Sequence, residues 1–323
     1  MILEMPFPRW DPVLINLPGP LDIRWYGVMY LVGFASAYFI LRRLATSGFL
    51  PLARSDVSDL VGTLVLGVLV GGRLGYLLFY DLPAVLARPL DALRVWEGGM
   101  SFHGGLLGVA VAAAWYARRH HISLLALGDA LALATPFGLF AVRLANFING
   151  ELYGRIASAS LPWGVRFPTD PVALRLLGAD GLPLRERERR ILDAYQSGRW
   201  DIVRPAVPLR HPSQLYEAVG EGVVLALLLW GIHRLRQRGR AQQQEPGAQG
   251  LYAGLFLVGY GLMRFVVEFF RQPDSQFSGP GNPLGTVLGP FTMGQLLSLM
   301  MLLVGTGLLL WRRRVRSVSP IDP

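Results

Sequence analysis

Ionisable side chains embedded in long apolar runs constrain this chain more than any other feature. A helix crossing ~30 Å of hydrocarbon needs about 20 apolar residues, and seven stretches have that character: 25–41, 57–79, 101–117, 124–147, 215–232, 250–270 and 292–311. Arg73, Arg143, Arg264 and Glu268 fall inside them. Each such group costs at least ~2.5–3.5 kcal/mol to insert and by default marks function. Composition agrees with the spans: only 16% of residues are charged, against about 25% in soluble domains. The chain therefore reads as an all-α integral membrane protein of about seven transmembrane helices with a small extracytoplasmic cap. Residues 1–150 carry helices one to four and an N-terminal outer arm, 151–211 the cap, and 212–323 helices five to seven.

The short connections give an orientation. With the N-terminus outside, Arg42, Arg43, Arg54, Arg118, Arg119, Arg234, Arg236, Arg238, Arg240, Arg312, Arg313, Arg314 and Arg316 collect on the cytoplasmic side, whereas short outer segments hold Arg9, Arg24, Arg88, Arg94 and Arg271. This positive-inside bias accounts for the net charge of +9 at an anionic headgroup surface, which makes nucleic acid the poorer partner. Residues 1–20 lack a basic n-region followed by an apolar h-region, so no cleavable signal peptide is expected; Pro6, Pro8, Pro12, Pro18 and Pro20 suggest an irregular surface segment. In the cap, Arg185 to Arg190 followed by Ile191, Leu192 and Tyr195 predicts one solvated amphipathic helix. The Gln-rich stretch 234–250 reads as a cytoplasmic loop.

The embedded charges fall into groups. Tyr260, Arg264 and Glu268 are spaced i, i+4, i+8 and share a helix face, as one wall of a polar cavity. Arg143 and Asn146 lie three apart, and Gly150 lets the chain leave helical geometry so that Glu151 can fold back toward the arginine. His103 stands between glycine pairs in Gly98-Gly99-Met100-Ser101-Phe102-His103-Gly104-Gly105; irregular backbone at that depth normally lines a cavity. Gly71-Gly72-Arg73-Leu74-Gly75-Tyr76 adds a third buried arginine. Two arginines converging at the outer leaflet form a bidentate phosphate clamp, so unaided chemistry reaches an outward-facing site for an anionic lipid with His103 as candidate base. There is no cysteine, so the chain has no disulfide, no thiolate nucleophile and no Cys-ligated metal. Any thiol would come from a substrate.

Taken in order, these segments resemble the prolipoprotein diacylglyceryl transferases of bacterial membranes. The stretches that carry the likeness are Arg24-Trp25-Tyr26-Gly27, the Arg73 and His103 blocks, Arg143-Leu144-Ala145-Asn146-Phe147-Ile148-Asn149-Gly150-Glu151-Leu152-Tyr153-Gly154, Arg210-His211-Pro212-Ser213-Gln214-Leu215-Tyr216-Glu217, and Arg264 to Asp274. Only the cap from about 157 to 204, the Gln-rich loop and the last residues lie outside them. The resemblance implies transfer of the diacylglyceryl group of phosphatidylglycerol to the lipobox cysteine of a preprolipoprotein signal peptide, forming a thioether and releasing glycerol 1-phosphate in the bacterial inner membrane. It implies His103 as base for the thiol and Arg143 and Arg264 stabilising the leaving phosphate. Glu151 and Glu268 would orient these arginines. Tyr26, Asn146 and Tyr260 would hydrogen-bond the headgroup, Arg73 and Gly154 would line the substrate site, and His211 would hold the cap over it or meet substrate. No metal or cofactor is implied, and there is no HExxH or clustered His/Asp spacing. A lipid transporter or flippase using the same buried charges would require inverted repeats, and the sequence has no convincing internal symmetry. A hydrolase would need a nucleophile context that Gly99-Met100-Ser101-Phe102-His103 does not supply.

Overall fold

The computed structural model describes residues 4–17, 22–79, 81–88, 90, 99–238, 249–273 and 276–318. Pro18, Pro20, Arg94, Trp96, Glu97, Gly98, Arg240, Asp274 and most of the Gln-rich loop lie outside the described residues. Five segments are long and apolar enough to cross a membrane: Trp25–Thr46, Arg54–Phe79, Leu124–Ile148, Ser213–Gln237 and Met293–Arg314. The apolar helix Leu251–Val267 is shorter. The remaining expected span is the helix Phe102–Arg119, whose glycines, histidine and terminal arginines dilute its apolar content. The fold is thus helical and membrane-spanning, with five long apolar helices and two weaker ones where about seven spans were expected.

In chain order the bundle helices are α1 (Trp25–Thr46), α2 (Val57–Phe79), α3 (Leu82–Ala87), α4 (Phe102–Arg119) and α5 (Leu124–Ile148). The cap contributes α6 (Pro171–Leu177), α7 (Leu184–Gln196) and α8 (Arg199–Val203). The chain re-enters the bundle through α9 (Ser213–Glu217), a π-helical segment over Ala218–Val224 and α10 (Leu225–Arg238), and ends with α11 (Leu251–Val267) and α12 (Met293–Val318). Two short antiparallel pairs, Val13–Ile15 with Ile23–Arg24 and Thr286–Leu288 with Phe291–Thr292, lead into α1 and α12.

Three devices set the packing. First, α2 and α4 meet along small residues: a Cβ on Gly71 would lie 2.6 Å from the Gly108 Cα, and one on Gly67 would lie 2.7 Å from the Ala112 Cβ. Backbone meets backbone there, the small-xxx-small solution to association in lipid. Ser101 N–H also donates to Gly72 O at 2.8 Å. Second, the side chains of Leu41, Leu44, Leu60, Tyr116, Leu127, Leu133, Leu229 and Tyr252 form one buried core at the end of the bundle opposite the cap. Third, Asp129 of α5, fully buried, accepts from the N–H groups of Gly250 and Ala253 at 2.8 Å each. A carboxylate from one helix thereby caps the orphan donors at the start of α11.

The cap has a core of its own, with Ala173, Leu174, Leu177, Ile191, Ala194, Trp200 and Val207 packed together. The expected amphipathic helix is α7, and α6 and α8 pack against it to complete the burial of its Ile191 and Ala194. The N-terminal arm straps this unit by Glu4 to Arg166 (2.8 Å) and Arg204 (3.1 Å), Arg9 to Asp201 (2.5 Å) and Asp22 to Arg185 (2.9 Å), and Arg24 pairs with Glu188.

Candidate active site

The C-terminal part of α5 carries the arginine motif, and its ending is a Schellman motif. Gly150 takes φ +65°, its N–H donates to Phe147 O at 3.0 Å, and Glu151 N–H donates to Asn146 O at 2.9 Å. Glycine reaches this left-handed geometry without a Cβ penalty. Leu152 then adopts φ 56°, a strained choice for a residue with a side chain, and the surroundings enforce it. Thr169 Oγ1 donates to Gly150 O at 2.6 Å, Gln214 Nε2 to Glu151 O at 2.5 Å and Ser213 Oγ to Leu152 O at 2.9 Å. Gly154 is threaded where a Cβ would sit 2.7 Å from both the Cβ and the carbonyl of His211, and its N–H donates to that carbonyl at 2.8 Å.

This geometry redirects Glu151. Its side chain lies with Asn146, Arg24 and Glu188, and Tyr26 of α1 meets the same Asn146. Burial raises the Glu151 carboxyl above its usual range, partly offset by Asn146 and Arg24. Arg143 takes its carboxylates elsewhere: its Nη1 lies 3.1 Å from Glu217 Oε2 and its Nη2 3.4 Å from Glu221 Oε2. The expectation that Glu151 orients Arg143 is corrected accordingly, because the left-handed turn at Gly150 directs Glu151 toward Arg24 and Glu188.

Glu217 is the hub of the interior cluster. Besides Arg143, it faces Arg264 at 3.8 Å and Arg271 at 3.4 Å. Arg264 also pairs with Glu268 of its own helix face, and Glu268 accepts from Thr292 Oγ1 at 2.9 Å. Tyr260 stands among Glu221, Arg143, Arg264 and Glu217. Three guanidinium groups thus meet three carboxylates drawn from α5, the α9–π segment and α11. Burial is asymmetric: the side chains of Glu217 and Glu221 are 0% exposed, while Arg143 and Arg264 each keep 15% and Arg271 keeps 12%. The two glutamates are wholly enclosed, and what little accessible surface these pairs keep belongs to the arginines. Such a layer presents fixed donors to an anion, with the charge balance already built into the protein. Glu217 ends α9 and Glu221 lies in the π-helical segment that follows it, and such segments tend to occur at functional sites.

Of the other candidates, His103 is exposed at the start of α4 with the Phe102 ring 5.7 Å away, and no described contact joins it to the arginines. Arg73 donates to Gly99 O at 3.2 Å and lies over the Tyr76 ring. His211 joins cap to bundle: its Nδ1 is 3.0 Å from the Tyr216 hydroxyl and its ring packs on Phe270. Burial holds this imidazole below its ordinary value. Arg210, paired with Asp170 at 2.5 Å and stacked 4.9 Å from Tyr153, braces the same junction.

Sequence reasoning passed over Glu217 and Glu221 as site residues, and Arg271 with them. The signal was present, since Glu221 is an ionisable residue four positions after Glu217 in an apolar run, the pattern that singled out Arg264 and Glu268.

The family model described as prolipoprotein diacylglyceryl transferase matches residues 12–311, which brings the cap within the likeness. A phosphatidylglycerol–prolipoprotein diacylglyceryl transferase of Geobacter sulfurreducens is 45% identical over 96% of this chain and 99% of its own. The protein of that name from Solidesulfovibrio magneticus is also 45% identical, over 97% and 98% of the two chains. That of Yersinia enterocolitica is 41% identical over 95% of each. The chain belongs to the prolipoprotein diacylglyceryl transferase family.

Proposed function

We propose, from membership of this family, that the chain transfers the diacylglyceryl group of phosphatidylglycerol to a cysteine thiol of a prolipoprotein. It is a transferase and a multi-pass membrane protein. The observation that carries the chemical reading is the layered cluster: three mostly buried arginines that keep 12–15% of their side chains exposed, backed by fully buried Glu217 and Glu221.

The reaction forms one bond and breaks one. The substrate thiol loses its proton, its sulfur attacks the glyceryl carbon bonded to phosphate oxygen, that carbon–oxygen bond breaks, and glycerol 1-phosphate leaves with the electron pair. Charge grows on the leaving phosphate. Arg143 and Arg264, with Arg271 beside them, are arranged to stabilise it more as the bond lengthens. Glu217 holds all three in register, and Glu268 holds Arg264. Asn146, Tyr26 and Tyr260 supply hydrogen bonds around the headgroup, Arg73 and Gly154 line the approach, and Glu151 orders the Asn146–Tyr26 corner. His103 is the proton acceptor, its exposed ring open to an incoming thiol. His211 holds the cap. The acceptor is the lipobox cysteine of a preprolipoprotein signal peptide. The protein sits in the bacterial inner membrane with its N-terminus and the cap (151–211) outside, its C-terminus cytoplasmic, and bundle segments 1–150 and 212–323 on either side of the cap.

Purified protein in detergent, given phosphatidylglycerol and a lipobox peptide, should release glycerol phosphate in amounts equal to the thioether formed. A peptide with serine in place of cysteine should release none. Lipid turnover that ignores that replacement would overturn the reading. His103→Gln should lose most of kcat, with the residual rate rising with pH; near-full activity and an unchanged pH profile would move the base elsewhere.

A further inference from the structure

Between the cap and the bundle lies a cavity of about 540 Å³, within the ordinary range of ligand pockets, and of its lining the chemistry above gives a role only to Glu151. One wall is the turn after α5, including Asn149 and Glu151; the opposite wall is α7, including Arg187 and Tyr195; Phe7 and Trp10 of the N-terminal arm close the side. Two polar atoms of this lining are buried without a hydrogen-bond partner among the described residues: Asn149 Oδ1, an acceptor, and Arg187 Nε, a donor. Buried polar groups without partners are uncommon in native structures, and these two belong to opposite walls. A peptide group offers one N–H and one C=O, the complement of that pair.

Resting on the transferase reading, we propose that this cavity binds the polypeptide segment that follows the acceptor cysteine in the protein substrate. The apolar part of such a substrate lies in the bilayer, so only the polar part beyond the thiol can reach a space walled by the cap. The lining excludes the alternatives. Arg187 and Arg210 share the lining with Glu188 and Glu151 and Arg210 is already paired with Asp170, so the cavity is not a cationic cradle for a second phosphate, and its charges do not suit an acyl chain. The distance is also right. Asn149 follows Arg143 by six positions, about 9 Å of helix, a span that an extended peptide covers in about three residues.

The test compares two lipobox peptides, one ending at the cysteine as an amide and one carrying four further residues. With the wild-type protein the longer peptide should show a KM lower by about tenfold, the scale of a hydrogen bond to a charged donor with its contacts. Arg187→Met and Tyr195→Leu should abolish that advantage while leaving the shorter peptide's kcat and KM, and the KM for phosphatidylglycerol, unchanged. Equal KM values for the two peptides at full turnover would overturn the proposal, as would variants that raise the lipid KM instead. Absence of thioether with either peptide would sink the transferase reading and this inference with it, a result distinct from equal KM values.

Discussion

The molecule uses arginine–carboxylate pairs twice, in settings that differ mainly in access to water. Around the cap, Arg9 and Asp201 pair with side chains 46% and 52% exposed, and Arg185 meets Asp22 while remaining 58% exposed. In the bundle, Glu217 and Glu221 are fully enclosed behind Arg143 and Arg264. The first kind contributes ~0–1 kcal/mol per pair and is screened by salt. The second is costly to break, because losing one partner strands a buried charge, at ~3–5 kcal/mol. One kind of contact therefore serves as an adjustable fastening outside and as an obligatory unit within.

The comparison breaks most visibly at Glu217. Glu217→Leu should cost about 3–5 kcal/mol, read as a loss of folded protein in detergent and of glycerol phosphate release; Glu217→Gln should retain more of both. Next come Arg143→Lys and Arg264→Lys, which keep charge but lose the planar fork. Each should cut kcat by about 10²–10³, as for a lost oxyanion donor, with the melting temperature nearly unchanged. A melting temperature that falls in step with kcat would make these arginines structural. Arg9→Ala should change stability by less than about 1 kcal/mol and leave turnover intact; a large loss would place the strap with the interior cluster. The smallest effect concerns His211. Burial lowers its native pKa, so the unfolded chain binds more protons below the ordinary 6.5. Stability should therefore be complete above pH 6.5 and decline as pH falls toward the lowered native value. A His211→Gln variant should flatten that slope in a melting series.

The apolar runs made the long helices legible, because the hydrocarbon requirement is written in consecutive residues. Arg143, Asn146, Arg264 and Glu268 were legible as charges in the wrong solvent. The rest depended on how distant segments meet. Gly150 signalled a departure from the helix, but no local pattern said that this turn would direct Glu151 toward Arg24 and Glu188. Within the cap α7 was legible from its charged and apolar faces, while α6 and α8 are too short for their periodicity to register. Glu217 ends α9 and Glu221 follows in a π-helical stretch, a geometry no spacing rule anticipates. The arm's ion pairs join residues such as Arg9 and Asp201, 192 positions apart.

The glutamates that neutralise Arg143 sit more than seventy positions downstream of it. A nascent chain must therefore commit α5 to the bilayer while this arginine has no counter-charge, and Glu217 in turn waits for Arg264 and Arg271. The cluster closes only when α11 arrives. A chain stopped between α5 and α9 would therefore hold an arginine in lipid without its counter-charge.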